Sequence, residues 1–165
     1  MSAASTDALR EPATGAAGPA TGAILDAAAI RRIELDLPYA GAVTPPEAWQ
    51  LFARREARIV DVRSAAEVHY VGRVPRALHA EWRGTDAEPL ARFLATLGTL
   101  VGADEPVLFL CRSGVRSHHA AAAAAAAGFG RAFNVLEGFE GQRNHVMQRG
   151  FIDGWRRHGL PWEQD

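Results

Sequence analysis

The stretch Val107-Leu108-Phe109-Leu110-Cys111-Arg112-Ser113-Gly114-Val115-Arg116-Ser117 passes from four apolar residues into a polar turn and then toward an alanine-rich run at 120–127. Four consecutive apolar residues without polar alternation are typical of a strand that is covered on both faces. Alanine is the strongest helix former, and Gly128 follows the run, where it can end a helix. The stretch therefore predicts a buried strand, a tight turn and a helix.

Short apolar segments alternate with helix signals along the rest of the chain. Two helix starts have the spacing of a capping box, in which Thr44 precedes Glu47 and Ser64 precedes Glu67 by three residues. Strands that alternate with helices predict an α/β domain with a mostly parallel sheet. The predicted strands are 41–43, 58–62, 77–80, 107–110 and 133–136, and the predicted helices include 45–56, 88–100, 120–127 and a short one at 154–157.

The first part of the chain differs in composition. Residues from Met1 to about Thr21 are mostly Ala, Thr, Gly, Pro and Ser, which predicts a disordered tail. Scattered apolar residues at 24–37 are compatible with a short helix laid on the domain. We therefore expect a disordered or loosely packed extension over 1–38 and a folded domain over 39–162. The start of the chain lacks the basic and apolar regions of a secretory signal, so we expect a cytoplasmic protein.

The composition of the 165 residues excludes several kinds of protein. The single Cys excludes an intramolecular disulfide, a CxxC pair and a Cys-rich zinc site. All 18 basic residues are Arg, so the chain has neither a Schiff-base lysine nor a P-loop lysine. A net charge of -1 gives no strong attraction to nucleic acid or to a membrane surface. No apolar run approaches the ~20 residues of a spanning helix, and we expect no cofactor or metal.

Cys111 is the candidate nucleophile. It follows the best predicted strand, and sites in parallel sheets form outside the carboxyl ends of strands. The turn brings backbone N–H groups to a helix N-terminus, Gly114 allows it to curve, and Arg112 and Arg116 add positive potential, which favours the thiolate. The alternative is a buried cysteine that acts as a small apolar residue. Its position just after the apolar run, rather than within it, favours a reactive site.

The segment 111–117 resembles the active-site loop of single-domain rhodanese-like sulfurtransferases. Asp61-Val62-Arg63 with Glu67 downstream is similar to the DVR…E element of that family. Arg73 and Arg76 depart from the GHIPGA-type stretch that the family usually has at 72–77. The segment 142–152 looks like an insertion, which could form a loop near the site or a contact surface. Further matches are the closing strand at 133–139 and the tail at 159–162, so that the resemblance covers about 39–162.

The resemblance implies a three-layer domain with a five-stranded sheet and a persulfide enzyme. Cys111 would take a sulfane sulfur from a small anionic donor such as thiosulfate and pass it to cyanide or a thiol. A persulfide on one cysteine needs no second Cys, which agrees with the composition. The implied catalytic residue is Cys111, the implied substrate-binding residues are Arg112, Ser113, Gly114, Val115 and Arg116, and the implied supporting residues are Asp61, Arg63 and Ser117.

Several residues of the site have two interpretations. Arg112 could attract the donor or be a solvated loop charge. Arg116 opposes the helix dipole and needs a partner, for which Asp61 is the expected residue. Ser113 and Ser117 could bond the persulfide or cap the helix. Neighbouring helical residues point about 100° apart, so the adjacent histidines at 118 and 119 are poor chelators.

Two other functions remain open. A cysteine phosphatase or an arsenate reductase relative needs five residues between the Cys and the Arg, whereas four separate Cys111 from Arg116. The shorter loop should fit one sulfur atom better than phosphate. The other alternative is a sulfur-relay or binding module that hands sulfur to a partner protein without releasing a product.

Overall fold

The predicted strand Val107–Leu110 lies at the centre of a five-stranded parallel sheet in the computed structural model, which describes residues 18–165. The strands are β1 (Gly41–Val43), β2 (Arg58–Asp61), β3 (Leu78–His79), β4 (Val107–Leu110) and β5 (Ala132–Val135). The strand order is β1-β5-β4-β2-β3, and all four neighbouring pairs are parallel. The predicted α/β class and parallel sheet are therefore confirmed.

Helices cover both faces of the sheet, as predicted. The helices are α1 (Thr21–Glu34), α2 (Pro45–Ala53), α3 (Ala65–Val71), α4 (Ala87–Leu100) and α5 (Val115–Ala126). Leu108 packs with α1 and α2 on one face, whereas Phe109 packs with α4 and α5 on the other. Alternate residues of a strand point to opposite faces, which explains why the apolar run at 107–110 is continuous. Cys111 lies on the side of α4 and α5.

Both predicted capping boxes are formed. The hydroxyl groups of Thr44 and Ser64 accept the backbone N–H groups of Glu47 and Glu67, and each glutamate accepts the N–H of its cap in return. The paired bonds satisfy donors that a helix N-terminus otherwise leaves free. The second box also fixes the carboxylate of Glu67, which accepts both the backbone N–H and the hydroxyl of Ser64 at 3.0 Å.

The N-terminal boundary differs from the prediction. Helix α1 begins at Thr21, and its residues Ile24 and Ala28 are buried in the core beside β1. A packed helix therefore precedes Tyr39, in the segment that was compatible with a short helix laid on the domain. The prediction of a disordered tail falls mainly on residues 1–17, which lie outside the described range.

The C-terminal part also differs from the prediction. Residues 154–157 form turns rather than a helix. Gly154 has a left-handed φ of 103°, and its N–H donates to the Glu137 carboxylate at 2.9 Å. The side chain of Trp155 is fully buried and donates from Nε1 to the carbonyl of Pro161. No helix within residues 18–165 has the length and apolar character needed to cross a membrane.

Candidate active site

Cys111 lies directly after β4, at the carboxyl edge of the sheet, and only 1% of its surface is exposed. Two polar groups contact its sulfur. The backbone N–H of Gly114 donates to Sγ at 3.1 Å, and the hydroxyl Oγ of Ser117 lies 3.2 Å from Sγ. The turn thus surrounds one sulfur atom with a backbone donor and a hydroxyl group that can also donate. Such fixed dipoles stabilise negative charge on a sulfur.

The turn depends on a left-handed residue at Gly114. This glycine is the N-cap of α5, has φ of 94°, and makes no side-chain cap bond. A residue with a Cβ adopts this conformation at a cost, whereas glycine does not. The side-chain amide of Asn134 on β5 donates to the Gly114 carbonyl at 3.2 Å. The neighbouring strand therefore holds the residue whose N–H points at the sulfur.

A second segment supports the turn from the outside. The carbonyl of Arg112 accepts the N–H groups of Glu140 at 2.9 Å and Gly141 at 3.2 Å, and the Cys111 carbonyl accepts that of Phe139 at 2.8 Å. Gly138 has φ of 69°, and a Cβ there would lie 2.5 Å from the Arg112 carbonyl. This close approach requires glycine. Gly138 lies in the stretch 133–139 that resembles the family's closing strand, but its sequence did not predict a role at the site.

Arg116 pairs with Glu67 and not with Asp61, so the predicted partner was wrong. Its two terminal nitrogens donate to the two carboxylate oxygens of Glu67 at 2.8 and 2.6 Å. The hydrogen bond from Arg116 lowers the pKa of Glu67 to about 2, and the same bond raises the pKa of Arg116. The Glu67 carboxylate also accepts the backbone N–H of Ser64 at 3.0 Å, so the same oxygen takes part in the capping box and in the pair with Arg116. That spacing was the sequence signal that could have identified Glu67.

Asp61 is unavailable to Arg116 because it binds Arg63. The Arg63 guanidinium donates from Nη2 to Asp61 Oδ2 at 2.6 Å and to the Gly72 carbonyl at 2.8 Å. The ring of Phe139 lies 4.3 Å from the guanidinium carbon. Both charged side chains are buried. Among the described residues, neither makes a hydrogen bond to the Cys111 side chain, and their contacts join the end of β2 to Gly72 and Phe139.

The histidines after the loop have separate contacts. Nδ1 of His118 lies 2.6 Å from the Tyr39 hydroxyl, and burial lowers the pKa of His118. Burial also raises the pKa of Tyr39 to about 12. The ring centroids of His118 and His119 lie 5.1 Å apart. Residues 18–165 contain no group of three or more His, Cys, Asp or Glu side chains placed to hold a metal ion.

The segment 142–152 forms a loop next to the predicted site. Together with the 111–116 loop it borders a cleft of about 670 Å³. The structure therefore brings the segment to the site, one of the two placements considered for it. The cleft is lined by Arg112, Ser113, Val115, Arg116, Gln142, Arg143, Asn144, Met147 and Arg149.

Comparisons with known proteins find a matching family and similar chains. Residues 44–145 match the family model of the rhodanese-like domain. The chain is 31% identical over 121 residues to the thiosulfate sulfurtransferase GlpE of Actinobacillus pleuropneumoniae, an alignment that covers 73% of this chain and 91% of GlpE. The crystal structure of Rv0390 from M. tuberculosis has a TM-score of 0.67 and 42% identity, and the match covers 77% of this chain and 99% of Rv0390.

A more distant structure has the same fold. RPA3614 from Rhodopseudomonas palustris, described as a protein of unknown function and a possible tyrosine phosphatase, has a TM-score of 0.54 and 21% identity. The match covers 94% of this chain and all of RPA3614. At this identity the similarity concerns the fold alone.

Proposed function

This chain belongs to the family of rhodanese-like domains, and from that premise we propose that it is a sulfurtransferase that carries a sulfane sulfur as a persulfide on Cys111. The contacts of the Cys111 sulfur carry the proposal. Gly114 N–H and Ser117 Oγ lie 3.1 and 3.2 Å from Sγ in a loop that is closed by the pair of Arg116 with Glu67. A relative that is a thiosulfate sulfurtransferase supports the choice of donor.

The first step loads the sulfur. The Cys111 thiolate attacks the outer sulfur of thiosulfate, the S–S bond of thiosulfate breaks, and sulfite leaves with the bonding electron pair. The product is the anionic persulfide on Cys111. The N–H of Gly114 and the hydroxyl of Ser117 stabilise the attacking sulfur by hydrogen bonds. Arg112, which belongs to the same loop, adds positive potential for the dianionic donor.

The second step returns the enzyme to its free form. Cyanide or a thiol attacks the outer sulfur of the persulfide, and Cys111 leaves as a thiolate. The enzyme thus alternates between two covalent states, which is ping-pong kinetics. Both steps use Cys111 alone as the nucleophile, in agreement with the single Cys of the chain.

The loop favours sulfur over phosphate. Four residues separate Cys111 from Arg116, one fewer than a phosphatase loop requires. Both terminal nitrogens of Arg116 are also occupied by Glu67. In a phosphatase the corresponding guanidinium must bind the oxygens of the substrate. These two observations argue against the phosphatase alternative.

Intact mass spectrometry tests the proposal directly. After incubation with thiosulfate the protein should gain the mass of one sulfur, and it should lose that mass on reduction or on addition of cyanide with release of thiocyanate. Cys111→Ser should gain no sulfur and should form no thiocyanate. A wild-type protein that never gains a sulfur at Cys111 would refute the proposal.

Repeated turnover separates the enzyme from a relay module. An enzyme releases many equivalents of thiocyanate from excess thiosulfate and cyanide. A relay module that serves one protein partner should load once and release sulfur to small acceptors only slowly. We therefore expect thiocyanate in large molar excess over the protein.

A further inference from the structure

The 142–152 loop exposes apolar side chains beside the catalytic turn. Met147 is 63% exposed, and Val115 at the start of α5 is exposed to the same extent. Both side chains line the cleft. Large exposed apolar side chains that lie close together mark interaction sites more often than isolated ones do. Half of the exposed large apolar residues in the described chain belong to this region: Val115, Val146, Met147, Phe151 and Ile152.

The same cleft carries positive charge without matching carboxylates. Within residues 18–165, the guanidinium groups of Arg112, Arg143 and Arg149 make no ion pair. Burial of Arg149 and repulsion from Arg112 and Arg143 lower the pKa of Arg149, and the attraction of Glu140 offsets this shift only in part.

The neighbouring carboxylates do not cancel this charge. Glu67 is bound to Arg116, and Glu140 lies 3.8 Å from Arg156. The cleft therefore has an unbalanced attraction for anions.

The loop is held in its exposed conformation by internal bonds. The side-chain oxygen Oδ1 of Asn144 accepts the N–H groups of Val146 at 3.1 Å and Gln148 at 2.9 Å. The guanidinium of Arg149 donates to the Gly141 carbonyl at 2.7 Å. Met147 has a left-handed φ of 66°, which is uncommon for a residue with a long side chain. The fold thus accepts strained backbone at the position where it presents Met147 to solvent.

We propose that this surface, the arginine cleft of Arg112, Arg143, Arg149, Val115 and Met147, binds an acidic segment of a partner protein that accepts the sulfur from Cys111. The proposal rests on the proposed sulfurtransferase function. Charge complementarity identifies the acidic character of the segment, and the exposed Val115 and Met147 require apolar residues within it. Arg and Met are enriched in the buried centres of protein interfaces.

The size of the cleft favours a protein segment over a small donor. Thiosulfate is a small dianion, and in the proposed function it needs only the loop that surrounds the sulfur. A cleft of about 670 Å³ with three unpaired arginines exceeds what that ion needs. A small thiol with two carboxylates would use the cations but would leave the apolar residues uncovered.

The transfer balances without another reactant. The thiol of the partner cysteine attacks the outer sulfur of the Cys111 persulfide, and the S–S bond of the enzyme breaks. The bonding electrons stay on Cys111, which becomes a thiolate. The partner becomes a persulfide that retains the thiol proton. No net oxidation or reduction takes place.

Three synthetic peptides of equal length, each with one Cys and the same apolar residues, test the proposal. They differ only in having Asp and Glu, Asn and Gln, or Arg at the remaining positions. Enzyme loaded with thiosulfate is mixed with each peptide, and the appearance of the peptide persulfide is followed by mass. We expect the acidic peptide to react about tenfold faster than the neutral one at low salt, with the advantage falling as salt is added.

Variants locate the effect. Arg143→Glu should remove most of the advantage of the acidic peptide, whereas Arg92→Glu on α4 is a matched control that should keep it. Met147→Ser should slow an acidic peptide that contains apolar residues but not one that lacks them. Failure of thiosulfate to load Cys111 would refute the function itself. Normal loading followed by equal rates for all three peptides would overturn only the docking proposal, as would a small dicarboxylate thiol that reacts as fast as the acidic peptide.

Discussion

Two arginine–carboxylate pairs lie near Cys111, and they differ chiefly in their burial. The side chains of Asp61 and Arg63 are 3% and 0% exposed, whereas those of Glu67 and Arg116 are 24% and 33% exposed. Both pairs are in close contact, with shortest N–O distances of 2.6 Å. Similar chemistry is therefore placed in two different dielectric environments.

From the difference in burial we expect one pair to stabilise the fold and the other to hold the loop of the site. Loss of one partner from a buried pair leaves an uncompensated charge in a medium that cannot solvate it. Loss of one partner from a half-exposed pair allows water to replace it. Asp61 and Arg63 should therefore be needed for folding, and Glu67 and Arg116 for the geometry of the 111–116 loop.

The largest effect is expected from the buried pair. Arg63→Met leaves the Asp61 carboxylate buried without its cation, which should lower the free energy of unfolding by about 3–5 kcal/mol. The double variant Asp61→Leu with Arg63→Met removes both charges and should recover more than half of that loss. Urea unfolding of the three proteins measures both effects. If Arg63→Met unfolded at the same urea concentration as the wild type, the buried pair would not be needed for stability, and the prediction would be wrong.

An intermediate effect, on catalysis rather than stability, is expected from the half-exposed pair. Arg116→Ala should free the end of the loop. Because small displacements of reacting groups slow a reaction, we expect kcat/KM for thiosulfate to fall by about tenfold to a hundredfold. The free energy of unfolding should fall by only about 1 kcal/mol. Arg92→Ala breaks an exposed pair with Glu88 on α4 and provides the control. If Arg116→Ala strongly lowered the free energy of unfolding but left kcat/KM unchanged, the pair of Arg116 with Glu67 would serve stability, which contradicts its assigned role.

The smallest effect concerns pH. Folding lowers the pKa of Glu67 from its ordinary 4.5 to about 2, because Arg116 hydrogen-bonds its carboxylate. The stability that Glu67 contributes is therefore present above pH 4.5 and is lost as the pH falls toward about 2. Glu67→Gln should make the free energy of unfolding depend less steeply on pH in this window. The change should be modest because the pair is partly solvated.

Thermal unfolding at several pH values compares Glu67→Gln with Glu88→Gln, which removes an exposed carboxylate elsewhere. Only Glu67→Gln should flatten the profile. An equal slope in the wild type and both variants would contradict the assigned role of Glu67.

The sheet could be predicted well because its strands are continuous apolar runs. β4 has the predicted bounds, and β2 and β5 differ from the prediction by one residue at their ends. Helix bounds were less accurate where no cap or stop signal was present. The packing of α1 against the domain was not predicted, because its many alanines give no clear apolar face. Ile24 and Ala28 are nevertheless buried. Residues 154–157 were predicted as a helix but form turns. The backbone N–H of Gly154 is bound by Glu137, which is 17 residues away, and a local pattern cannot show such a contact.

The candidate site could be predicted only in part. The residues that contact the Cys111 sulfur, Gly114 and Ser117, lie within six positions of it and were identified. The partner of Arg116 was misassigned, because Asp61 ends a strand at the same edge of the sheet as Cys111. Glu67, which is 49 residues from Arg116, comes within hydrogen-bond distance only in the folded chain. The roles of Asn134 and Gly138 also depend on elements that meet only in the folded chain.

The alternating strands and helices follow from the amino-acid sequence alone, as does the position of Cys111 in a glycine-containing turn after a buried strand. These features depend on local residue types, whose preferences act over a few positions. The carboxylate that each arginine binds and the position of the 142–152 loop beside the cysteine turn depend instead on the folded chain. Charge pairing and burial depend on distances between segments that are far apart along the chain, and the packing of helices on the sheet sets those distances.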